Sequence, residues 1–261
     1  MAGADVGARV IRSTVEGSVT RITISRAERK NAFDAELIRA VTAAAREVER
    51  TTRVVVLQSE GDTFCAGADL EWMRGMAGFT LEENRADSRA LAEMYRSLYE
   101  LEMPLVARVQ GAAIGGGAGL VAVADIAVAS SDASFAFTET RLGILPAVVS
   151  PYVVRKVGPA RATALFVTGS RIDAKRAHEI GLVERLVEPA DLDAAVGRVI
   201  EAILAAGPEA VRAAKRLVRE VDGREPRDVL DLTIERIAKV RVSEEGQEGM
   251  RAFLERREPR W

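Results

Sequence analysis

Two segments of the chain combine small residues with nearby carboxylates and could carry out chemistry. The first is residues 109–139, in which a glycine triplet at 115–117 directly follows a predicted buried strand at 104–109. Glycines let the backbone turn sharply and leave main-chain N–H groups facing a cavity without a side chain in the way. A polarised oxygen could bind there, and Glu139 could move a proton beside it.

The second segment is residues 61–70, which follow a predicted strand and precede a predicted helix. Ala66, Gly67 and Ala68 are small enough to let a ligand approach the main chain. Asp69 is placed to cap the helix that begins after it. Two loops of this kind, each at the end of a parallel strand, can direct one N–H group each at the same oxygen, which is the arrangement of an oxyanion hole.

A dinucleotide-binding site is the main alternative for the first segment. Residues 117–122 match the relaxed fingerprint G-x-G-x-x-G/A, and Glu139 lies twenty positions after Gly119. However, the predicted helix has only about two turns, and Glu139 follows a second, later strand instead of the strand next to the helix. These differences disfavour nucleotide binding.

The same segments carry a resemblance to a known family. FCAGADL, QGAAIGGGAGLVAVADIAVAS and FTETRLGILP resemble segments of the crotonase (enoyl-CoA hydratase/isomerase) superfamily in the same order, and further matches cover nearly the whole chain. The resemblance implies an α/β fold, with a crotonase-like spiral of ββα turns over residues 1–200 and a helical C-terminal trimerisation region over 201–261. GGGAGLVAVADIA and ILPAVVSPYVV look most like bacterial methylglutaconyl-CoA hydratases of leucine breakdown.

Roles for individual residues follow from this resemblance. It implies that the N–H groups of Ala68 and Gly116 form the oxyanion hole and that Glu139 is the catalytic acid/base. The best-known enoyl-CoA hydratases have a second glutamate where this chain has Gly119, so a mechanism that needs both cannot be transferred. We expect Gly119 to leave room for a branched acyl group at the β-carbon.

Three cations lie in the predicted loop at 26–31. A short charge run is commonly a solvated turn, but the resemblance places this loop against the phosphates of coenzyme A. The residues implied to contact coenzyme A are Arg26, Arg29, Lys30, Ala66, Ala68 and Gly116. Coenzyme A would then be part of the substrate, and no separate cofactor is expected.

The function that the resemblance implies is addition of water to the double bond of an enoyl-CoA thioester, through an enolate stabilised by the oxyanion hole. One alternative is a double-bond isomerase that uses Glu139 alone, and another is a non-catalytic acyl-CoA-binding protein. A carboxylate at the end of an apolar strand is costly to bury unless it is satisfied or functional. Glu139 therefore favours an enzyme.

Composition excludes several other classes of protein. A net charge of −2 and a pI near 5.8 argue against a nucleic-acid partner. One cysteine, Cys65, and one histidine, His178, cannot build an ordinary zinc site, so no metal is expected. We expect Cys65 to be buried and His178 to be at the surface. No apolar run reaches the ~18 residues of a membrane span, so a cytoplasmic protein with no membrane contact is expected.

The remaining expectations concern helices and assembly. Residues 9–16 and 18–25 predict a β-hairpin turning at Gly17, Asp34 is placed to cap a helix, and residues 82–101 predict a second helix. Apolar stripes in the C-terminal helices need a partner surface, which indicates a homotrimer or homohexamer.

Overall fold

The computed structural model describes residues 10–261, which form nine β-strands and eleven α-helices. The strands are β1 (Ile11–Glu16), β2 (Val19–Ile24), β3 (Val54–Ser59), β4 (Leu105–Val109), β5 (Ala112–Ile114), β6 (Ile126–Ser130), β7 (Ser134–Ala136), β8 (Ile172–Asp173) and β9 (Arg185–Val187). The helices are α1 (Ala35–Arg46), α2 (Leu70–Met76), α3 (Leu81–Tyr99), α4 (Gly116–Val123), α5 (Ser150–Val157), α6 (Pro159–Thr168), α7 (Ala174–Glu179), α8 (Leu192–Leu204), α9 (Pro208–Val221), α10 (Leu230–Val242) and α11 (Glu244–Glu255).

The large sheet has the order β1-β2-β3-β4-β6-β9, and all its pairings except β1 with β2 are parallel. Helices cover both of its faces. On one face α8 packs Leu192 and Val196 into a cluster with Val54 and Val106, while α1, α3 and α4 contribute to the main core on the other. Burial on both faces explains why these strands read as nearly continuous apolar runs.

A second, smaller layer lies beside the large sheet and has the order β5-β7-β8. Single-residue bridges extend it, because Phe33 pairs with Ala68 and Cys65 pairs with Ala113. Each pass of the chain thus places one strand in the large sheet and one short segment in the second layer before a helix returns it. This confirms the predicted spiral of ββα turns.

Several local predictions are also confirmed. The β1–β2 hairpin turns at Gly17, which has a positive φ of 61°, although residue 9 of the predicted hairpin lies outside the described residues. The Asp34 side chain accepts a hydrogen bond from the Leu37 N–H at 2.8 Å and caps α1. The helix predicted over 82–101 is α3, which starts at Leu81 under a capping box of Thr80 and Glu83.

The C-terminal part of the chain is helical. The expected boundary between residues 200 and 201 falls inside α8, so this helix belongs with the sheet that it covers. Helices α9 and α10, both within the described range, contain no buried residue. None of the helices between residues 10 and 261 is long and apolar enough to cross a membrane.

Candidate active site

The second layer brings the two small-residue loops together. The main chain of Phe33 bonds the two residues that flank Ala68. Its N–H donates to the Gly67 carbonyl and its carbonyl accepts from the Asp69 N–H, each at 2.7 Å. The Phe33 ring also reaches the glycine turn, because a β-carbon on Gly116 would lie 2.8 Å from its Cε2 atom. One buried residue therefore contacts both loops.

Further main-chain bonds fix the glycine turn beside the strand that leads to Glu139. The Ile114 N–H donates to the Cys65 carbonyl at 2.9 Å, and the Gly115 N–H donates to the Ala136 carbonyl at 2.7 Å. Gly115 has a φ of 52°, in the left-handed region that favours glycine. A β-carbon on Gly117 would overlap the Cys65 carbonyl, so glycine is required there by close approach.

Two main-chain donors at these loops are available to a ligand. Within residues 10–261, neither the Ala68 N–H nor the Gly116 N–H donates a hydrogen bond to a protein acceptor. Ala68 is exposed and Gly116 is half-buried, so both groups lie at a surface. In contrast, the Ala66 N–H donates to the Lys30 carbonyl at 3.0 Å and is already used. The Ala66 N–H is therefore not available to bind coenzyme A, and the structure gives no support for the expected contact of Ala66.

Glu139 begins a 3₁₀ turn, Glu139–Leu142, three residues after the buried end of β7 at Ala136. The turn is anchored by the Thr140 hydroxyl, which donates to the Phe166 carbonyl at 2.7 Å. Gly143 closes it in a left-handed conformation with φ of 74°. The rigid attachment of this turn fixes the position from which the Glu139 side chain extends.

The Glu139 carboxylate is half-buried next to the glycine turn. Its Oε1 atom lies 3.2 Å from the place where a β-carbon on Gly115 would be. Its Oε2 atom is buried and has no hydrogen-bond partner among the residues that the structure describes. Burial raises the pKa of Glu139 above its ordinary value. A buried carboxyl oxygen without a partner is suited to bind a water molecule or a substrate proton.

The expectation that Gly119 leaves room for a branched acyl group is wrong. A β-carbon on Gly119 would overlap the Val149 Cγ1 atom and would lie 3.0 Å from the Tyr95 hydroxyl oxygen. Val149, which precedes α5, and Tyr95, on α3, are both buried. Side chains distant in sequence occupy the volume that a second glutamate would need, and no local pattern could have indicated this.

Residues 26–31, which we call the cationic loop, carry one buried cation and two exposed ones. Arg26 is only 6% exposed, and its guanidinium forms an ion pair with Asp34 at 2.7 Å. The expected contact of Arg26 with a phosphate is not supported, because the side chain is enclosed by its own loop and by the start of α1. Arg29 is half-exposed and bonds Asp69 and Glu71, while Lys30 is exposed.

Asn31 supports the candidate site, and no role was predicted for it from the sequence. It is fully buried, and its side-chain amide donates to the carbonyls of Glu60 and Thr63 at 2.8 and 2.7 Å. Its side-chain oxygen accepts from the Arg26 N–H at 3.0 Å. Asn31 thus ties the cationic loop to the segment that leads to Ala68. An asparagine is one of the few residues that tolerate its positive φ of 54°, which was the available signal.

Cys65 and His178 lie where their sequence context predicted. Cys65 is fully buried, and burial raises the pKa of its thiol to about 12, which disfavours the nucleophilic thiolate at neutral pH. His178 is exposed, and its Nδ1 atom is 3.1 Å from the Val183 carbonyl oxygen.

Comparison with known proteins finds relatives over nearly the whole chain. Residues 14–261 match the family model described as Enoyl-CoA hydratase/isomerase. The chain is 32% identical to a putative enoyl-CoA hydratase of Thermus thermophilus over 94% of its length and 98% of that protein. It is 31% identical to a short-chain-enoyl-CoA hydratase of Clostridium acetobutylicum, over 93% of each chain. The crystal structure of a putative enoyl-CoA hydratase/isomerase (crotonase) from Legionella pneumophila superimposes with a TM-score of 0.92 at 39% identity, over 97% of this chain and 99% of that one.

Proposed function

Because the chain belongs to the enoyl-CoA hydratase/isomerase family of the crotonase superfamily, we propose that it adds water to the double bond of an enoyl-CoA thioester with Glu139 as its only catalytic carboxylate. The buried Oε2 atom of Glu139, which has no hydrogen-bond partner in the described part of the chain, supports this most directly. Such an oxygen is costly unless a water or a substrate satisfies it during the reaction.

The oxyanion hole of this proposal consists of the Ala68 and Gly116 N–H groups. Two observations support the assignment: both groups lack protein acceptors within residues 10–261, and both lie beside Phe33, whose main chain bonds the two neighbours of Ala68 and whose ring lies against Gly116. Two fixed donors at the thioester oxygen stabilise the negative charge that develops there, and loss of one donor of this kind costs about 10²–10³ in rate. Lys30, and Arg29 after release from its carboxylates, would bind the phosphates of coenzyme A.

The proposed reaction needs no second acid. The Glu139 carboxylate accepts a proton from water while the water oxygen bonds to the β-carbon of the enoyl group. The electron pair of the double bond moves to the thioester oxygen, which gives an enolate held by the oxyanion hole. Glu139 then returns the proton to the α-carbon, so the carboxylate is regenerated and one water is consumed per turnover.

Isomerisation is the competing function, and the single carboxylate is the observation that favours it. Glu139 alone could take a proton from one carbon and return it to another, with no water consumed. The apolar Val149 at the place of a second glutamate is compatible with both reactions. The two reactions differ in the mass of their product, which makes them easy to separate.

The proposal also concerns which acyl group the substrate carries. Likeness to methylglutaconyl-CoA hydratases makes 3-methylglutaconyl-CoA one substrate to test, but Gly119 offers no space for its branch because Val149 fills that volume. The named relatives include a short-chain-enoyl-CoA hydratase. Crotonyl-CoA is therefore the first member of the test panel.

The purified protein should be incubated with crotonyl-CoA, 3-methylglutaconyl-CoA and a 3-enoyl-CoA in ¹⁸O-labelled water, and the products measured by mass spectrometry. We expect addition of one labelled water to at least one 2-enoyl thioester. Glu139→Gln should lower this rate by about 10²–10⁴, because it removes the proton-transfer group. Glu36→Gln, at an exposed position of α1, is the matched control and should keep the parent rate. A parent protein that only shifts the double bond would refute hydration.

A further inference from the structure

Tyr95 connects α3 to the glycine turn through its hydroxyl group. The side chain is fully buried, and the hydroxyl donates a hydrogen bond to the Gly116 carbonyl at 2.6 Å. The same oxygen lies 3.0 Å from the positions that β-carbons on Gly116 and on Gly119 would occupy. A phenol can therefore reach the backbone of α4 only because both residues are glycine.

The Gly116 residue needs such a contact because it has no side chain to limit its conformation. The residue before it is fixed on both sides, since the Gly115 N–H donates to Ala136 and the Gly115 carbonyl accepts from the Gly119 N–H at 3.1 Å. The hydrogen bond from Tyr95 fixes the other side of Gly116. Together these bonds restrict rotation about the Gly116 Cα atom and hence the direction of its N–H group.

The phenol of Tyr95 stays a hydrogen-bond donor over the whole pH range of an assay. Burial, and then the negative charge of neighbouring groups that include Glu139, raises its pKa well above the ordinary value. The ring itself packs against Tyr152, with centroids 5.8 Å apart.

We propose that Tyr95 is a positioning residue for the oxyanion hole: by bonding the Gly116 carbonyl it limits rotation at the Gly116 Cα atom, and so keeps the N–H group on the other side of that atom directed at the thioester oxygen. This rests on the proposed function, because it takes the Gly116 N–H as a donor to the substrate. Tyr95 is fully buried and acts through Gly116, without touching the substrate.

Tyr95→Phe is the direct test, since it removes the hydroxyl and keeps the ring. On the enoyl-CoA that the parent hydrates, kcat should fall about tenfold while KM changes less than about twofold, because a misdirected donor weakens an interaction that is strongest in the transition state. Tyr152→Phe is the matched control. The Tyr152 hydroxyl makes no hydrogen bond to residues 10–261, so its removal should leave kcat unchanged.

A spectroscopic measurement separates positioning from a general structural effect. Butyryl-CoA with a ¹³C-labelled thioester carbonyl is saturated and cannot be hydrated, so its bound carbonyl stretch reports the strength of the oxyanion hole without turnover. In Tyr95→Phe this stretch should move from the parent value towards the frequency of the free thioester, and in Tyr152→Phe it should not move. Unchanged kcat and unchanged frequency in Tyr95→Phe would overturn the proposal while leaving hydration by the parent intact. Absence of hydration by the parent would instead refute the proposed function.

Discussion

The proposed chemistry uses the ionised form of Glu139, and burial of this charge lowers the stability of the folded protein. Burial raises its folded-state pKa above the ordinary value of 4.5. Below that value the carboxyl is protonated in both the folded and the unfolded chain and the cost is absent. As the pH rises through the window between 4.5 and the raised pKa, the unfolded chain ionises first, and stability falls.

The stability of Glu139→Gln should therefore depend on pH in a defined way. At pH 8 we expect the variant to unfold at a temperature about 2–4 °C above the parent, since relief of a buried charged group is worth on the order of 1 kcal/mol. The difference should shrink towards zero near pH 4. Thermal unfolding followed by circular dichroism at both pH values tests this, and a gain that persists unchanged at pH 4 would exclude ionisation as its cause.

The same carboxylate should set the acidic limb of the pH–rate profile. The proposed hydration starts from ionised Glu139, so kcat/KM should rise with pH and level off above the raised pKa. The midpoint should lie above the ordinary glutamate value of 4.5 because burial disfavours the charged form. Activity and stability would then change in opposite directions over one pH window. An acidic limb centred at or below the ordinary value would argue that Glu139 is not the base.

At the residue scale, Glu139 and the glycine turn could be predicted from sequence as candidates, because their spacing from buried strands is a local property. The sequence did not identify Tyr95 as a contact of Gly116. A tyrosine on the apolar face of a helix gives the same sequence pattern whether or not its hydroxyl makes a hydrogen bond. The acceptor, the Gly116 carbonyl, lies 21 positions away in sequence. The space at Gly119 was misjudged for the same reason, because Val149 comes from another element.

Among the elements, α4 is closely packed, because every residue from Gly117 to Val123 is buried. Alanine normally stabilises a helix by up to about 1 kcal/mol relative to glycine. At residue 119 its β-carbon would overlap Val149 Cγ1 and crowd the Tyr95 hydroxyl. We expect Gly119→Ala to lower the free energy of unfolding by about 1–3 kcal/mol through overpacking.

A companion substitution identifies the cause of that loss. In a Val149→Ala background the overlap is removed, so Gly119→Ala should become neutral or stabilising there. A double-mutant cycle in urea should give a coupling energy of about 1–3 kcal/mol. Additive effects of the two substitutions would show that Val149 is not the residue that excludes a side chain at 119.

The predictability of whole elements followed the strength of their periodic signals. Buried strands β3, β4 and β6 and the capped helices α1 and α3 carry apolar runs or spacings that span many residues, and these elements were predicted. The second layer is partly built from single-residue bridges at Phe33 and Cys65, which are too short to carry a period. Arg26 has the sequence of a solvated charge run, and only the fold encloses it against Asp34.

On the scale of the whole molecule, the C-terminal helices expose large apolar side chains that a single chain does not cover. Leu230, Ile234 and Ile237 on α10 are each about half-exposed, and Phe253 and Leu254 on α11 are 83% and 80% exposed. We predict a homotrimer or homohexamer in which these side chains are covered by neighbouring chains. Sedimentation should give three or six times the 28.1 kDa of one chain.

A pair of variants makes this prediction specific. Phe253→Asp should shift the sedimentation profile towards smaller species, because a charge in an apolar contact is costly to bury. Val15→Asp, at an exposed position of β1, is the matched control and should sediment like the parent. A monomeric parent at micromolar concentration would contradict the prediction outright.

The hydrogen bonds between the cationic loop and the loop at residues 61–70, which contains Ala68, limit how this enzyme could be redesigned. The Lys30 carbonyl accepts from the Ala66 N–H, Asn31 donates to the Thr63 carbonyl, and Phe33 brackets Ala68, so the two loops form a single rigid piece. Under the proposed function, one end of that piece recognises the thiol carrier and the other holds the reacting carbonyl. An attempt to exchange coenzyme A for a different carrier by rebuilding residues 26–31 would therefore also displace a catalytic donor. The preference for coenzyme A and the turnover rate should consequently evolve together in this scaffold, because few substitutions in these loops would change one without the other.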